Sequence, residues 1–321
     1  PELKELLTFL ADGKNGLCLI TTRYPLIEIR KWEGKTYQWL EIDRLSREDA
    51  RELFKKVGVK GKEEEIDKVI EEYDGHTLSL TLVSGYLVQD FKGDIKKAGE
   101  IPLFHKDKEA GGKAHRILLW YAKQLKEEQR QFMKIFSIFR REVREEDFEG
   151  VFRSKIETIN QCLRQMTSFS FKEMVSNLCV RRLIIKGEST YTTHPLIKNY
   201  FESIFGKEDK RLCHKRIYKY IGEYVPEKPE TLKDMQPLFE QVYHGTQAGL
   251  YDEVYDNVYQ DKIELWNEYY LTHKLGAWGT NLNLLLNFFP DKDLSRTPQV
   301  SKRRAQNYLL NEAGLSLLTI G

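Results

Sequence analysis

The sequence predicts a mainly α-helical chain with a short α/β segment at its beginning and one small β-hairpin near its middle. Apolar residues recur at helical spacing along most of the 321 residues. Only two stretches in the first quarter of the chain have the composition of strands, and the remaining strand signal is confined to the hairpin at 183–194. With 40% hydrophobic residues the chain can build two or three separate cores.

The charge balance and the cysteines exclude several classes of protein. The chain has 51 basic and 49 acidic residues, so its bulk charge supports neither a nucleic-acid partner nor a membrane-surface role. Its four cysteines lie far apart without a CxxC motif, which predicts neither a zinc site nor a disulfide framework. No apolar stretch is long enough to span a membrane. We therefore expect a protein of the reducing cytoplasm.

Residues 1–45 are predicted to be the remnant of an α/β domain. After a helix at Leu3–Leu10, the apolar run Leu17–Ile20 has the composition of a strand buried on both faces, and Thr22 and Arg23 follow it. Ligands of open α/β sheets bind beyond the carboxyl ends of the strands, where the Arg23 guanidinium would suit a phosphate. The alternative is a core strand followed by an ordinary polar turn.

The predicted strands are too few for a complete α/β domain. The second one is predicted at Tyr37–Ile42, and two strands cannot bury both faces of a parallel sheet. The chain also begins with Pro1 rather than Met. We therefore expect a piece of a longer protein, with the remaining strands upstream of Pro1.

Residues 46–104 are predicted to form a helical domain that ends in a linker. A capping-box pattern at Ser46–Asp49 marks the start of its first helix. Two further apolar helix faces follow at Ile66–Tyr73 and Leu78–Leu87. The charged, glycine-rich stretch 92–112 is typical of a linker.

Residues 105–206 have the outline of a winged-helix module. Helical patterns follow one another closely, at Ala114–Leu125, Glu127–Phe139, Glu142–Phe152, Ile156–Met166 and Phe171–Arg182. A hairpin is predicted at Leu183–His194 around Gly187, and a closing helix at Pro195–Phe205. Helices, a hairpin and a closing helix in this order predict the module.

Residues 207–321 are predicted to be helical throughout, with hairpins of the tetratricopeptide type. The turn glycine, aromatic and apolar positions of one such hairpin are Gly249, Tyr251, Val254 and Val258. The first helix and turn of a second copy correspond to Leu310, Ala313, Gly314, Leu317 and Gly321. The aromatic stretch 251–270 indicates packing between stacked helices rather than a ligand cage.

A phosphate-binding loop would identify a nucleotide-hydrolysing enzyme, and this chain has none. Its only GK[ST] triplet is Gly34-Lys35-Thr36, which lacks the earlier glycine of the motif and follows no strand. No apolar strand ends in the paired acids that hold Mg²⁺. We therefore assign no catalytic residue and no metal ligand, and we expect this chain alone not to hydrolyse nucleotide.

Four ordered motifs together carry a family resemblance. They are the TTR strand end at 21–23, the LEIDRLSREDARELF helix entry at 40–54, GHTLSL at 75–80 and YTTHPLIKNYF at 191–201. Their order and spacing resemble the distal part of the STAND signal-transduction ATPases, the NB-ARC and NACHT group, which includes bacterial regulators and defence proteins. The resemblance implies the edge of a nucleotide-binding domain, a helical lid, a winged helix and a repeat-type sensor arm.

The resemblance also implies which residues meet the nucleotide. Arg23, next to Thr22, matches the sensor-1 arginine that monitors the terminal phosphate. The triplet Gly75, His76 and Thr77 stands at the family's Gly-x-Pro, whose proline packs on adenine; Thr77 replaces that proline, although a threonine here could still cap the helix.

His194 matches the histidine of the family's MHD-type motif, a latch on the β-phosphate of ADP, while Thr193 and Pro195 replace its Met and Asp. The physics of the position supports the same role. Because Pro195 favours the first position of a helix, the imidazole would lie at a helix N-terminus, which attracts phosphate. The alternative is a histidine that only caps the helix or packs in the wing.

The function implied by the resemblance is a switch. In the intact protein, ADP held between Arg23 and His194 would keep the winged helix closed on the nucleotide domain. A protein or peptide ligand on the repeat-type arm would then favour exchange for ATP with Mg²⁺, and self-oligomerisation. ATP hydrolysis would belong to the intact protein.

Two other functions remain open. A transcription regulator would present the winged helix to DNA, with Arg181, Arg182 and Lys186 as phosphate contacts. The acidic stretch Glu142–Glu149 would repel a duplex, which argues against a nucleic-acid partner. The other is a helical interaction scaffold without a nucleotide.

Overall fold

The computed structural model describes residues 2–12, 17–22, 25–40, 42, 44–101, 110–225 and 229–321. These residues are mainly helical, as predicted, and the only sheet among them has three short strands. The chain divides into two compact units, Pro1–Ser46 and Arg47–Gly321. In the described ranges no helix is both long enough and apolar enough to cross a bilayer.

The first unit is built on helix α1 (Glu2–Asp12) and a 3₁₀ turn at Ile27–Trp32. Leu7 and Ala11 lie on one face of α1 and pack with Ile29 of the turn in a small core. The spacing of apolar residues along α1 brings these two side chains to the same face. The helix predicted at the start of the chain is therefore confirmed.

The two strands predicted in this unit do not form in its described residues. Residues 17–22 have no regular secondary structure, and Leu17 and Leu19 expose 97% and 84% of their surface instead of being buried. In the second stretch, Tyr37 makes only an isolated bridge to Glu33. A strand needs neighbours for its backbone N–H and C=O groups, and the described part of this unit offers no neighbouring strand. The strand predictions are therefore wrong here.

The second unit begins with helices α2 (Arg47–Val57), α3 (Glu63–Glu72) and α4 (Thr77–Phe91). Helix α2 packs against both of the others, and the Nε of its Arg51 donates a hydrogen bond to the Asp67 carboxylate of α3 at 2.7 Å. All three helices were predicted, α2 from the capping-box pattern at its start and α3 and α4 from the spacing of their apolar residues. We call this three-helix segment the lid, after the helical domain predicted at this place in the sequence.

The stretch predicted as a linker, residues 92–112, is structured at both ends. Ile95–Glu100 forms a 3₁₀ helix that buries Ile95 and Ala98, and helix α5 (Ala110–Gln124) has begun before residue 112. The charged composition of this stretch predicted a linker and did not indicate that Ile95 and Ala98 are buried.

The segment that follows α5 contains all three strands. Its elements are α6 (Glu127–Ser137), β1 (Val143–Arg144), α7 (Glu145–Asp147, continued by a π turn at Phe148–Phe152), α8 (Gln161–Gln165), α9 (Ser168–Val180), β2 (Ile185–Lys186), β3 (Thr190–Thr192) and α10 (Pro195–Ser203). Strand β3 lies between β1 and β2 and is antiparallel to both, with Tyr191 opposite Val143 and Lys186. The hairpin and the closing helix are confirmed. The helix predicted from Glu142 is shorter, because its first residues pair with β3.

An aromatic cluster forms the core beneath this sheet. Phe132 of α6 stacks on Phe152 with ring centroids 4.6 Å apart, and Phe148 meets Phe171 of α9 edge-on at 5.4 Å. Helix α10 packs against α5 and α6. The core therefore fixes the point at which β3 passes into α10, where His194 lies.

The C-terminal part is helical. Its elements are α11 (Lys207–Gly222), α12 (Gln236–Gln247), α13 (Tyr251–Val254, continued by a π segment at Tyr255–Ile263), a 3₁₀ turn at Trp266–Glu268, a second π segment at Tyr270–Lys274, α14 (Trp278–Leu285), 3₁₀ turns at Leu286–Phe288 and Pro290–Lys292, and α15 (Arg303–Ile320). Helices α11 and α12 pack together, as do α14 and α15. Between α11 and α12, the Nδ1 atoms of His214 and His244 lie 2.8 Å apart in the core.

The hairpin predicted around Gly249 is present in outline. Gly249 has φ +76° in the turn between α12 and α13, and Val254 and Val258 are buried. The second helix then continues as a π segment, which departs from a regular helical repeat. Tyr255, Tyr259 and Tyr270 are buried in the same core, so the packing prediction is confirmed for these three residues. Trp266 of the same stretch is 53% exposed.

Candidate functional site

His194 is the cap of helix α10. Its Nδ1 accepts a hydrogen bond from the Leu196 N–H at 3.1 Å, and its carbonyl accepts those of Ile197 and Lys198 at 2.9 and 3.0 Å. Pro195, the first residue of the helix, has no N–H to offer. The backbone donors at this helix start are thus already used within the chain, and only the imidazole remains available to a ligand.

The cap fixes the tautomer of the His194 ring. Because Nδ1 accepts a hydrogen bond, the proton of the neutral imidazole lies on Nε2. Partial burial lowers the pKa of His194, which favours this neutral form. The residue is nevertheless exposed at the surface. His194 therefore offers a single oriented N–H donor of the kind that can bind a phosphate oxygen.

The second candidate group lies at the turn between α3 and α4. Asp74 and Gly75 both have left-handed backbones, with φ of 57° and 63°, and end α3 with a sharp reversal. His76 then caps α4, accepting the Ser79 N–H on Nδ1 at 3.3 Å. Thr77 is the first residue of the helix and is exposed. The possibility that Thr77 caps this helix is therefore wrong, because His76 occupies the cap.

The structure does not test the pairing of Arg23 with His194. Thr22 is exposed and belongs to the first unit, whereas His194 belongs to the second. Arg23 lies outside the described residues. Their closure on one anion stays a prediction. Where the chain is described, no group of three or more His, Cys, Asp or Glu side chains could hold a metal ion.

An ion pair between the lid and α9 is the feature that sequence reasoning missed. Arg181, directly after α9, donates from Nη1 and Nη2 to the two carboxylate oxygens of Asp90 in α4, at 2.7 and 2.8 Å. The Tyr121 hydroxyl of α5 donates to the Arg181 carbonyl at 3.2 Å. A bidentate pair of this kind combines charge with a fixed geometry. We call Asp90, Arg181 and Tyr121 the lid clamp.

Two further contacts tighten the lid clamp. The Gln89 amide donates to the Asn177 side chain at 3.2 Å. A Cβ placed on Gly85 would lie 2.7 Å from the carbonyl carbon and oxygen of Arg181. Helix α4 can therefore lie this close to the backbone after α9 only because Gly85 has no side chain.

The lid clamp changes the roles of the predicted DNA contacts. Arg181 is buried and engaged by Asp90, so it is not available to a phosphate. Lys186 is exposed but lies 3.7 Å from the Glu145 carboxylate, which leaves Arg182 as the exposed cation of the predicted set without an acidic partner among the described residues. No pattern in the sequence marks Arg181 as an internal residue, because its partner is 91 positions away.

The acidic stretch predicted to repel a duplex is also largely engaged inside the chain. Asp147 is fully buried and accepts hydrogen bonds from both terminal nitrogens of Arg141, at 2.7 and 2.6 Å. Glu145 accepts from the Tyr191 hydroxyl at 3.1 Å. These acids hold the sheet to the start of α7, so their charges are partly compensated there.

No family model matches this chain. The curated proteins likewise contain no sequence that matches it.

Proposed function

We propose that this chain is part of a nucleotide-controlled switch of the STAND class. In this proposal His194 donates the hydrogen bond from its Nε2–H to a phosphate oxygen of bound ADP. The observation that carries it is the cap of α10, which leaves one exposed and oriented donor on a largely neutral ring. A neutral donor binds the anion without needing a change in protonation.

The order of the elements supports a winged-helix element in this switch. A helix (α6), a strand (β1), helices through α9 and then the β2–β3 hairpin follow one another, and the strand order is β1-β3-β2. The His194 donor lies where the hairpin passes into α10. Movement of this element would therefore make or break the contact with the phosphate.

The lid clamp supports transmission of that movement. Asp90 and Arg181 tie the lid to the winged-helix element, so a displacement of one is carried to the other. In the proposed switch, Gly75, His76 and Thr77 at the start of α4 face the base of the same nucleotide, and Arg23 faces its terminal phosphate. The α11–α15 helices form the arm that receives a protein or peptide ligand.

Two substitutions of His194 in the full-length protein test the proposal. His194→Asn keeps a side-chain oxygen that caps the helix, whereas His194→Ala removes the cap and costs about 1 kcal/mol of stability. Neither variant has the ring N–H donor. We expect both to purify with less bound ADP than the wild type, measured by chromatography of the nucleotide released on denaturation.

His273→Asn, at another exposed histidine, serves as the control and should keep the wild-type ADP content. ADP loss in His194→Ala alone would mean that the cap, or the amide N–H of the asparagine, is sufficient without the ring donor. A wild-type protein that carries no nucleotide and binds none would leave the helical scaffold as the function.

A further inference from the structure

The side chain of Glu264 is a buried carboxyl group that no described residue hydrogen-bonds. It is fully buried at the end of the π segment Tyr255–Ile263, and both of its carboxylate oxygens lack a hydrogen bond among the described residues. Glu312 of α15, only 4% exposed, is the charged group that acts on it. Two acids therefore share one interior site, although buried carboxylates are normally paired with a cation or with donors.

Three other polar side chains of this core hydrogen-bond to one another. The Tyr259 hydroxyl donates to the Asn281 oxygen at 2.8 Å, and the Asn281 nitrogen donates to the Ser316 hydroxyl at 3.2 Å. Tyr259, on the same helical run, and Tyr308, on α15, are the other titratable groups that face Glu264.

A histidine and an arginine act on other members of the same cluster. His273 of the second π segment faces Glu312, and Arg304 of α15 faces Tyr255. In the part of the chain that is described, none of the groups found to act on Glu264 is a cation.

The backbone after Glu264 is unusually irregular. Leu265, Trp266 and Tyr269 have φ of 48°, 56° and 47°. This left-handed conformation is unfavourable for residues other than glycine. The Tyr270 N–H closes this loop by donating to the Glu264 carbonyl at 3.3 Å. Such a conformation persists only while the surrounding packing holds it, and the burial of Glu264 is part of that packing.

We propose that the Glu264–Glu312 pair is a proton-held lock that keeps residues 255–274 closed against α15. With a proton on Glu264, the pair carries at most one buried charge. When the proton leaves, two like charges share an apolar site, and solvating them requires the left-handed loop to open. The lock is independent of the proposed nucleotide switch.

The direction of the pH dependence follows from the titration of Glu264. The pKa of Glu264 is raised to about 8, mainly by burial and to a smaller extent by the charge of Glu312. A glutamate in an unfolded or opened segment has a pKa of about 4.3. The closed form therefore holds the proton more tightly than the open form, and opening becomes easier as the pH rises between these two values.

Hydrogen exchange of the whole chain between pH 6 and pH 8 tests the lock. After correction for the chemical exchange rate at each pH, the opening constant of the α15 amides should rise by up to about tenfold per pH unit. Glu264→Gln, which cannot ionise, should reduce this rise, and burial, which also raises the pKa of Glu312, accounts for any remainder. Glu268→Gln, at an exposed acid in the same loop, should keep it.

A second variant separates the lock from a general loss of packing. Glu312→Gln removes the neighbouring charge, so the rise should persist but level off at a lower pH. The same rise in Glu264→Gln as in the wild type would overturn the proposal, and so would a wild-type opening constant that does not depend on pH.

Discussion

Arg181 places its two terminal nitrogens 2.7 and 2.8 Å from the two carboxylate oxygens of Asp90. Only 10% of the arginine side chain and 30% of the aspartate side chain remain exposed. The pair joins the last helix of the lid to the end of α9. Its loss should therefore affect the packing of the whole lid.

Asp90→Ala should lower the free energy of unfolding by about 3 kcal/mol, because it leaves the Arg181 guanidinium buried without its partner. The exposed pair of Lys186 with Glu145 provides a matched control. Lys186→Ala should cost less than about 1 kcal/mol, since water screens exposed pairs. Urea unfolding of both variants gives the comparison, and equal losses would show that the lid clamp contributes no more than a surface pair.

Gly85→Ala should separate α4 from the backbone after α9. The added methyl group would lie 2.7 Å from the Arg181 carbonyl, which cannot move without shifting the clamp. We expect a destabilisation of about 1–3 kcal/mol, as for overpacking of a core. Gly279→Ala in helix α14 meets no atom within 4 Å and should be neutral or slightly stabilising. A stabilised Gly85→Ala would contradict the close approach.

The buried His214 and His244 pair should make the protein less stable in acid. Burial lowers the pKa of His214 to about 4 and that of His244 further below its usual value. Histidines of an unfolded chain have a pKa of about 6.5. The unfolded chain therefore binds protons first as the pH falls, and the contribution of His214, at most about 3 kcal/mol, is lost between pH 6.5 and 4.

Thermal unfolding between pH 7 and pH 4.5 measures this loss. His214→Gln should flatten the dependence. Glu240, which lies 3.8 Å from the His244 ring, acts in the opposite direction because burial raises its pKa. The histidine effect would be refuted by a variant as acid-sensitive as the wild type.

Duplex DNA should not bind measurably to the chain. Of the three predicted phosphate contacts, Arg181 pairs with Asp90 and Lys186 faces Glu145, so Arg182 alone is left exposed without such a partner in the described chain. One cation cannot supply the charge neutralisation on which nonspecific binding depends. Fluorescence anisotropy with a labelled duplex at low salt checks this. Saturable binding that weakens with added salt and with Arg182→Ala would restore the transcription-regulator hypothesis.

Local signals in the sequence predicted most of the helices and the hairpin, although the helix predicted at Ile156–Met166 forms only at Gln161–Gln165. The β2–β3 hairpin and α10 were predictable because Gly187 and Pro195 restrict the backbone at those points. The run Leu17–Ile20 was misleading, since an apolar tetrapeptide has the same composition whether or not strands flank it. Whether a partner strand is present depends on the rest of the fold, and the composition of four residues does not indicate it.

The candidate site was predictable only in part. That His194 begins a helix follows from the proline after it, but its tautomer follows from a backbone contact that only the structure reveals. The lid clamp and the Glu264–Glu312 pair each join residues distant in sequence, and no periodicity connects such partners.

The closeness of α4 to α9 bears on how the protein can be divided. Asp90 and Gly85 of the lid both meet Arg181 in the element that follows it, so each segment covers apolar surface of the other. Expressed as separate polypeptides, the lid and the remainder should each present a bare apolar surface and tend to aggregate. Co-expressed, they should reassociate and melt as one cooperative species.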